Sequence, residues 1–129
     1  MPTGGAKYTI LVVDDDEDVR EIASAILEEF GYATIATSSG AAALQVLATG
    51  KAQPIDVLFT DIMMPGMNGF ELAQQAAAIR PDLKIILTSG YIAPEMAKAM
   101  SSVWTTVPKP WRPAQLAAMM AEVLDGSGS

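Results

Sequence analysis

The chain has 129 residues, half of them hydrophobic, and a formal net charge of −7 with no cluster of Lys and Arg. That length suits one domain with one core, the apolar content excludes intrinsic disorder, and the charge disfavours nucleic acid, which needs a basic footprint. With neither Cys nor His present, disulfide, thiolate and imidazole chemistry are excluded, and any metal is expected to be hard and oxygen-bound, such as Mg2+ or Ca2+.

No apolar run approaches the ~20 residues that a membrane span needs. The N-terminal MPTGGAK is not followed by a signal-peptide pattern. A cytoplasmic protein with no membrane partner is expected. Residues 1–7 are Gly-rich and expected to be mobile. Residues 9–13 are apolar and β-branched, predict the first strand, and end in the acids Asp14, Asp15, Asp16, Glu17 and Asp18. Val19, Ile22, Ala23, Ile26, Leu27 and Phe30 then recur at helical spacing and predict one apolar stripe. Asp16 is its expected N-cap and Gly31 its stop.

A short second strand is predicted over 33–36. Ser39 is expected to cap a second helix carrying Ala43, Leu44, Val46 and Leu47, with Gly50 at its end. Residues 57–69 read VLFTDIMMPGMNG. The run Val57, Leu58, Phe59 predicts a third strand buried on both faces, closed by Asp61 and the turn at Pro65 and Gly66. A third helix follows with Phe70, Leu72, Ala73, Ala76 and Ile79 inward, and Pro81 stops it. The fourth strand is predicted over 84–88 and breaks at Ser89 and Gly90. A short fourth helix is expected over 94–101, opened by Pro94. A weak fifth strand at 104–107 precedes the turn Pro108, Lys109, Pro110. Pro113 opens a last helix with Leu116, Met119, Met120, Val123 and Leu124 inward, and the tail GSGS reads as a flexible end. Strand and helix alternate five times. This implies an α/β fold, a five-stranded parallel sheet with five helices on both faces, in a single domain spanning 1–129 whose ordered core is about 8–124.

Three strand ends carry chemistry: Asp14 and Asp15 after the first, Asp61 after the third, Thr88 after the fourth; Lys109 lies in the loop after the fifth. Taken singly, each has a plainer reading. Asp61 serves as a turn cap, Thr88 as a strand residue, Lys109 as a surface lysine. If strands one, three, four and five are near neighbours, all converge at the carboxyl edge of a parallel sheet, where ligands bind. Three carboxylates gathered there repel one another and make a cage for a hard divalent cation. Asp16, Glu17 and Asp18 are better read as helix-start residues, and Met63, Met64 and Met67 as loop packing.

The runs ILVVDDD, DIMMPGMNG, ILTSG and PKPW, over roughly residues 8–124, resemble the receiver domain of two-component response regulators. The resemblance implies a flavodoxin-like (βα)5 fold in which Asp61 is phosphorylated by a histidine kinase. Asp15 would ligate Mg2+ directly, Asp14 would assist through water, and Asp61 and the Met63 main-chain carbonyl would complete the protein's share of the metal site. Thr88 would hydrogen-bond a phosphoryl oxygen, and Lys109 would pair with the carboxylate and then with the phosphoryl group. The peptide between Lys109 and Pro110 is often cis in the family. The side chains two after the acceptor and two after the threonine, here Met63 and Gly90, tune hydrolysis there. The implied partners are a histidine kinase or phosphotransfer protein and a downstream protein target. Several positions depart from the family pattern: Thr106 stands where a switching Tyr or Phe is common, Trp111 where Phe is common, and Arg112 where a helix cap is common. Trp104 is read as covering core.

Phosphoryl transfer depends on positioning and charge stabilisation, which this residue set supplies. No turnover enzyme is expected, only self-phosphorylation and self-dephosphorylation. The alternatives are a receiver excised from a hybrid histidine kinase and a Mg2+-dependent phosphohydrolase using Asp61 as its nucleophile. Haloacid-dehalogenase-type enzymes need a second Asp two residues after the first, where this chain has Met63. A degenerate receiver that only binds partners is disfavoured by the intact acid, Thr and Lys set.

Overall fold

Five parallel strands form one sheet in the order β2-β1-β3-β4-β5. The computed structural model describes residues 8–49, 54–90, 95 and 104–125. In chain order the elements are β1 (Thr9–Val13), α1 (Glu17–Glu29), β2 (Ala33–Thr37), α2 (Gly40–Thr49), β3 (Val57–Asp61), α3 (Gly69–Ile79), β4 (Lys84–Ser89), β5 (Thr105–Pro108) and α4 (Pro113–Asp125). Four helices thus lie among the described residues. The helix expected over 94–101 falls, but for Glu95, outside them, as do residues 1–7, Gly50 and the GSGS tail. β5 starts one residue later than its apolar pattern suggests, leaving Trp104 just before it.

Alternation along the strands divides the core into two layers. On one face Leu11, Val13, Leu58, Ile85 and Leu87 pack against α2 and α3 through Ala43, Leu47, Leu72, Ala73 and Ala76. On the other, Ile10, Val12, Val57, Phe59, Ile86 and Val107 pack against α1 and α4 through Ala23, Leu27, Leu116, Met120 and Val123. β3 is buried along its whole length, as a strand covered on both faces must be. Trp104 packs on the α2–α3 layer and meets Phe70 edge-on, with centroids 5.9 Å apart. It covers core there, as expected.

The α1 stripe is only partly used. Ala23 and Leu27 are buried, whereas Ile22 is 54% exposed and Phe30 48% exposed. Ile79 at the end of α3 is likewise exposed. The apolar pattern is wider than the strip of sheet that each helix covers.

Local chemistry sets the helix ends. The Asp16 carboxylate accepts from the N–H groups of Asp18 and Val19, and the Ser39 hydroxyl accepts from that of Ala42 at 3.1 Å. Beyond α1, the N–H of Tyr32 donates to the Leu27 carbonyl and that of Gly31 to the Glu28 carbonyl. This double closure is a Schellman motif, and it needs the left-handed φ of +96° that Gly31 supplies. α3 opens on a reciprocal cap. Asn68 accepts from the Glu71 N–H at 2.9 Å, and Glu71 accepts from the Asn68 N–H at 3.0 Å.

Candidate functional site

The strand order sets β1 and β4 on either side of β3, with β5 beyond β4. The carboxyl ends of all four then lie along one edge. Asp61 closes β3 and is paired in register with Thr88 on β4. Asp61 follows Phe59 by two residues and Thr88 follows Ile86 by two, so both side chains belong to the α1–α4 face of the sheet. Asp14 is 3% exposed, Asp61 5% and Thr88 1%. Asp15 is exposed.

The Asp61 backbone is held from several directions. The Thr60 hydroxyl donates to the Asp61 carbonyl at 3.0 Å. The Ile62 N–H donates to the Thr88 carbonyl at 2.8 Å, and the Gly69 N–H to the Ile62 carbonyl at 2.9 Å. Among the neighbouring methionines, Met64 is buried in the α2–α3 layer and Met67 packs against it. Met63, expected to pack in the loop, is instead 67% exposed beside the site.

Asp14, Asp15 and Asp61 each offer a carboxylate oxygen within 4.8 Å of the other two. Unit charges about 4 Å apart interact by about 4 kcal/mol at an effective dielectric of about 20, so this set requires cations. Lys109 supplies one: its Nζ lies 3.0 Å from Asp14 Oδ2 and 3.4 Å from Asp61 Oδ1. Its backbone N–H donates to the Ser89 carbonyl at 2.9 Å, and its peptide to Pro110 is cis. The second Asp14 oxygen, Oδ1, accepts from the Asp16 N–H at 2.9 Å, and the Arg20 guanidinium donates to the Asp14 main-chain carbonyl at 2.8 Å. Asp14 is therefore bound up with the protein, while the exposed Asp15 carboxylate is left for solvent or an ion.

Burial pushes the Asp61 carboxyl above the ordinary aspartate value; the Lys109 charge opposes this, the Asp14 charge adds to it, and a backbone hydrogen bond from Met63 favours the ionised form. For Lys109, burial alone would lower the ammonium. The hydrogen bond to Asp14 and the charges of Asp61 and Asp14 outweigh it, and its pKa stands above the usual lysine value.

Thr88 has a partner that residue order did not suggest. The indole N–H of Trp111 donates to Thr88 Oγ1 at 2.9 Å. The same ring lies against Phe59, with centroids 5.2 Å apart. Trp111 thus reaches the site itself. Arg112 occupies the cap position of α4: its carbonyl accepts from the Leu116 N–H at 3.0 Å and its N–H donates to Gln115 Oε1 at 3.4 Å.

The donor set suits a small hard cation: carboxylate oxygens, no nitrogen or sulfur ligand, and an excess of negative charge. Among the described residues no helix is long and apolar enough to cross a membrane.

The chain matches the family model of the response regulator receiver domain over residues 10–121. It is 42% identical over 84 residues to the response regulator receiver protein CpdR of Brucella abortus, a similarity covering 65% of this chain and 68% of that protein. It is 30% identical over 119 residues to the sensor kinase CckA of the same organism, covering 91% of this chain but 12% of that protein. A crystal structure of a CheY-like response regulator receiver domain protein from Methanospirillum hungatei superposes with a TM-score of 0.83 at 28% identity, covering 94% of this chain and 96% of that one.

Proposed function

This chain belongs to the response regulator receiver domain family of two-component signalling, and from that premise we propose that Asp61 is its phosphoacceptor and that Asp14, Asp15, Asp61 and the Met63 main-chain carbonyl hold Mg2+. The observation that carries the reading is the meeting of Asp61 with Asp14, Asp15 and Lys109 at one edge of the sheet. A bound Mg2+ would neutralise charge on the carboxylates and on the phosphoryl oxygens.

The chain's own residues do the rest. An Asp61 carboxylate oxygen attacks the phosphorus of a kinase or phosphotransfer-protein phosphohistidine. The new O–P bond forms as the P–N bond breaks, and the imidazole leaves. Burial makes that carboxylate the more basic nucleophile, and Lys109 keeps it ionised and then faces the phosphoryl oxygens. Thr88, one strand away in register, donates its hydroxyl proton to one of those oxygens. The gain of roughly two negative charges biases the loops around the edge and so alters a surface read by a downstream protein.

The domain serves as a phosphoacceptor in the cytoplasm and turns over no separate substrate. Turnover phosphohydrolysis is disfavoured because Met63, two residues after Asp61, offers no acid. Incubation with acetyl phosphate and Mg2+, followed by intact-mass measurement, tests the proposal. Wild type gains one phosphoryl group, while Asp61→Asn and an EDTA-treated sample gain none. Labelling of Asp61→Asn to the wild-type level would remove the assignment.

A further inference from the structure

Trp111 touches both strands that carry the reacting groups. Its ring packs on Phe59, which lies two residues before Asp61 on the same face of β3, and its N–H holds the hydroxyl of Thr88, the register partner of Asp61. An indole nitrogen only donates, and a threonine hydroxyl carries one proton and two acceptor positions. In the 2.9 Å contact Thr88 Oγ1 is therefore the acceptor. The single hydroxyl proton is left for a different partner. Thr88 is 1% exposed, so that proton is not freely shared with solvent.

We propose that Trp111 is a positioning residue for phosphoryl transfer: its indole N–H fixes Thr88 as an acceptor on one side, so that the hydroxyl proton is directed to the phosphoryl group on Asp61. The proposal rests on the reading of Asp61 as phosphoacceptor. Without the tether the hydroxyl rotates among staggered positions and must be ordered during the reaction. With it, the donor is oriented beforehand, the condition under which a dipole stabilises developing charge most effectively. A phenylalanine at this position would pack on Phe59 equally well and would leave the hydroxyl free.

A double-mutant cycle separates this role from packing. Trp111→Phe keeps a ring on Phe59 and deletes the N–H; Thr88→Val keeps the shape and deletes the hydroxyl. Trp111→Phe is expected to slow labelling by acetyl phosphate roughly two- to tenfold, the weight of one oriented hydrogen bond. In the Thr88→Val background the same change adds no further slowing. Slowing of equal size in both backgrounds makes Trp111 a packing residue and overturns the proposal.

The bond also has a spectroscopic signature. The chain has two tryptophans, and Trp111→Phe identifies which indole resonance in a proton–nitrogen correlation spectrum is that of Trp111. A hydroxyl donating to an anionic oxygen becomes a stronger acceptor. Beryllofluoride with Mg2+, a phosphoryl mimic, should therefore move the Trp111 indole proton downfield in wild type and not in Thr88→Val. No shift, or an upfield shift, overturns the proposal. Labelling of Asp61→Asn overturns the phosphoacceptor reading and this proposal together. Normal labelling of Asp61 with an additive cycle overturns the role of Trp111 alone.

Discussion

Gly69 stands directly against the main chain of Asp61: a Cβ on Gly69 would overlap the Asp61 carbonyl oxygen and lie 2.8 Å from the Ile62 Cα. Both obstacles are backbone, so neither moves aside cheaply. The first turn of α3 is thereby seated against the end of β3, and the position of Asp61 depends on the absence of a side chain at Gly69.

Gly69→Ala tests that seat. In an ordinary helix the change would stabilise by up to about 1 kcal/mol. Here it is expected to destabilise by roughly 1–3 kcal/mol, the range for overpacking a filled site, and to slow phosphorylation of Asp61 as well. Denaturant unfolding and acetyl phosphate labelling measure the two effects. A variant as stable and as fast as wild type would show that the approach has room to give.

The pH dependence of stability follows from the environment of Asp61. Burial, opposed by Lys109 and reinforced by Asp14, raises its carboxyl in the folded state. A carboxyl whose folded pKa exceeds its unfolded one holds its proton more tightly when folded. Its contribution to stability is present at low pH and is lost as pH rises through the folded value. At neutral pH the ionised group weighs against the metal-free fold. Asp61→Asn, which has no charge at any pH, is expected in EDTA at neutral pH to melt above wild type. The difference should close as the pH falls below the ordinary aspartate value. An Asn variant that melts lower than wild type at neutral pH would mean that Lys109 outweighs burial.

Asp15 separates metal binding from folding. It is exposed, whereas both Asp14 oxygens already serve the protein. Asp15→Ala should leave the melting temperature in EDTA within about 1 °C of wild type, as exposed substitutions generally do. Added Mg2+ should raise wild type and raise the variant much less. An equal gain in both proteins would place the ion elsewhere.

The lifetime of the phosphorylated form depends on what borders Asp61. Met63 is 67% exposed, and Gly90 has no side chain. Neither can hold an attacking water by a side-chain hydrogen bond. Phosphorylated wild type is expected to decay more slowly than phosphorylated Met63→Asn, whose amide can orient water. Decay followed by intact mass after removal of the phosphodonor decides the matter, and matching rates in the two proteins would remove Met63 from the account.

Local signals carried most of the fold. Apolar runs broken by acids marked β1 and β3, and Asp16, Ser39 and Gly31 marked helix ends that the structure places where their chemistry puts them. The Asn68–Glu71 box is equally local, an Asn followed three residues on by Glu. Ile22 and Phe30 were beyond periodicity, because a stripe records which side faces the sheet and not how far the sheet extends. The strand-end rule brought Asp14, Asp61, Thr88 and Lys109 to one edge, where the Lys109 ammonium reaches both Asp14 and Asp61. The Trp111–Thr88 bond, spanning 23 positions, left no local trace: nothing in the run PKPW says which hydroxyl an indole will find. The closeness of Gly69 to Asp61 is likewise a property of two backbones.

Among the described residues β5 is an edge strand, paired with β4 alone, yet it delivers Lys109, which lies 95 positions from Asp14. The acids of the edge are therefore laid down early in the chain and their cation last. Until β5 docks, the carboxyl edge lacks the ammonium that pairs with Asp14 and Asp61. Once β5 docks, the ammonium draws the outermost strand toward β1 across two intervening strands. The ion pair thus acts as a clasp on the sheet's open side as well as a part of the site. Lys109→Ala should on this account loosen β5 itself, seen as faster hydrogen exchange at the Val107 amide; unchanged protection there would mean that the pairing with β4 suffices.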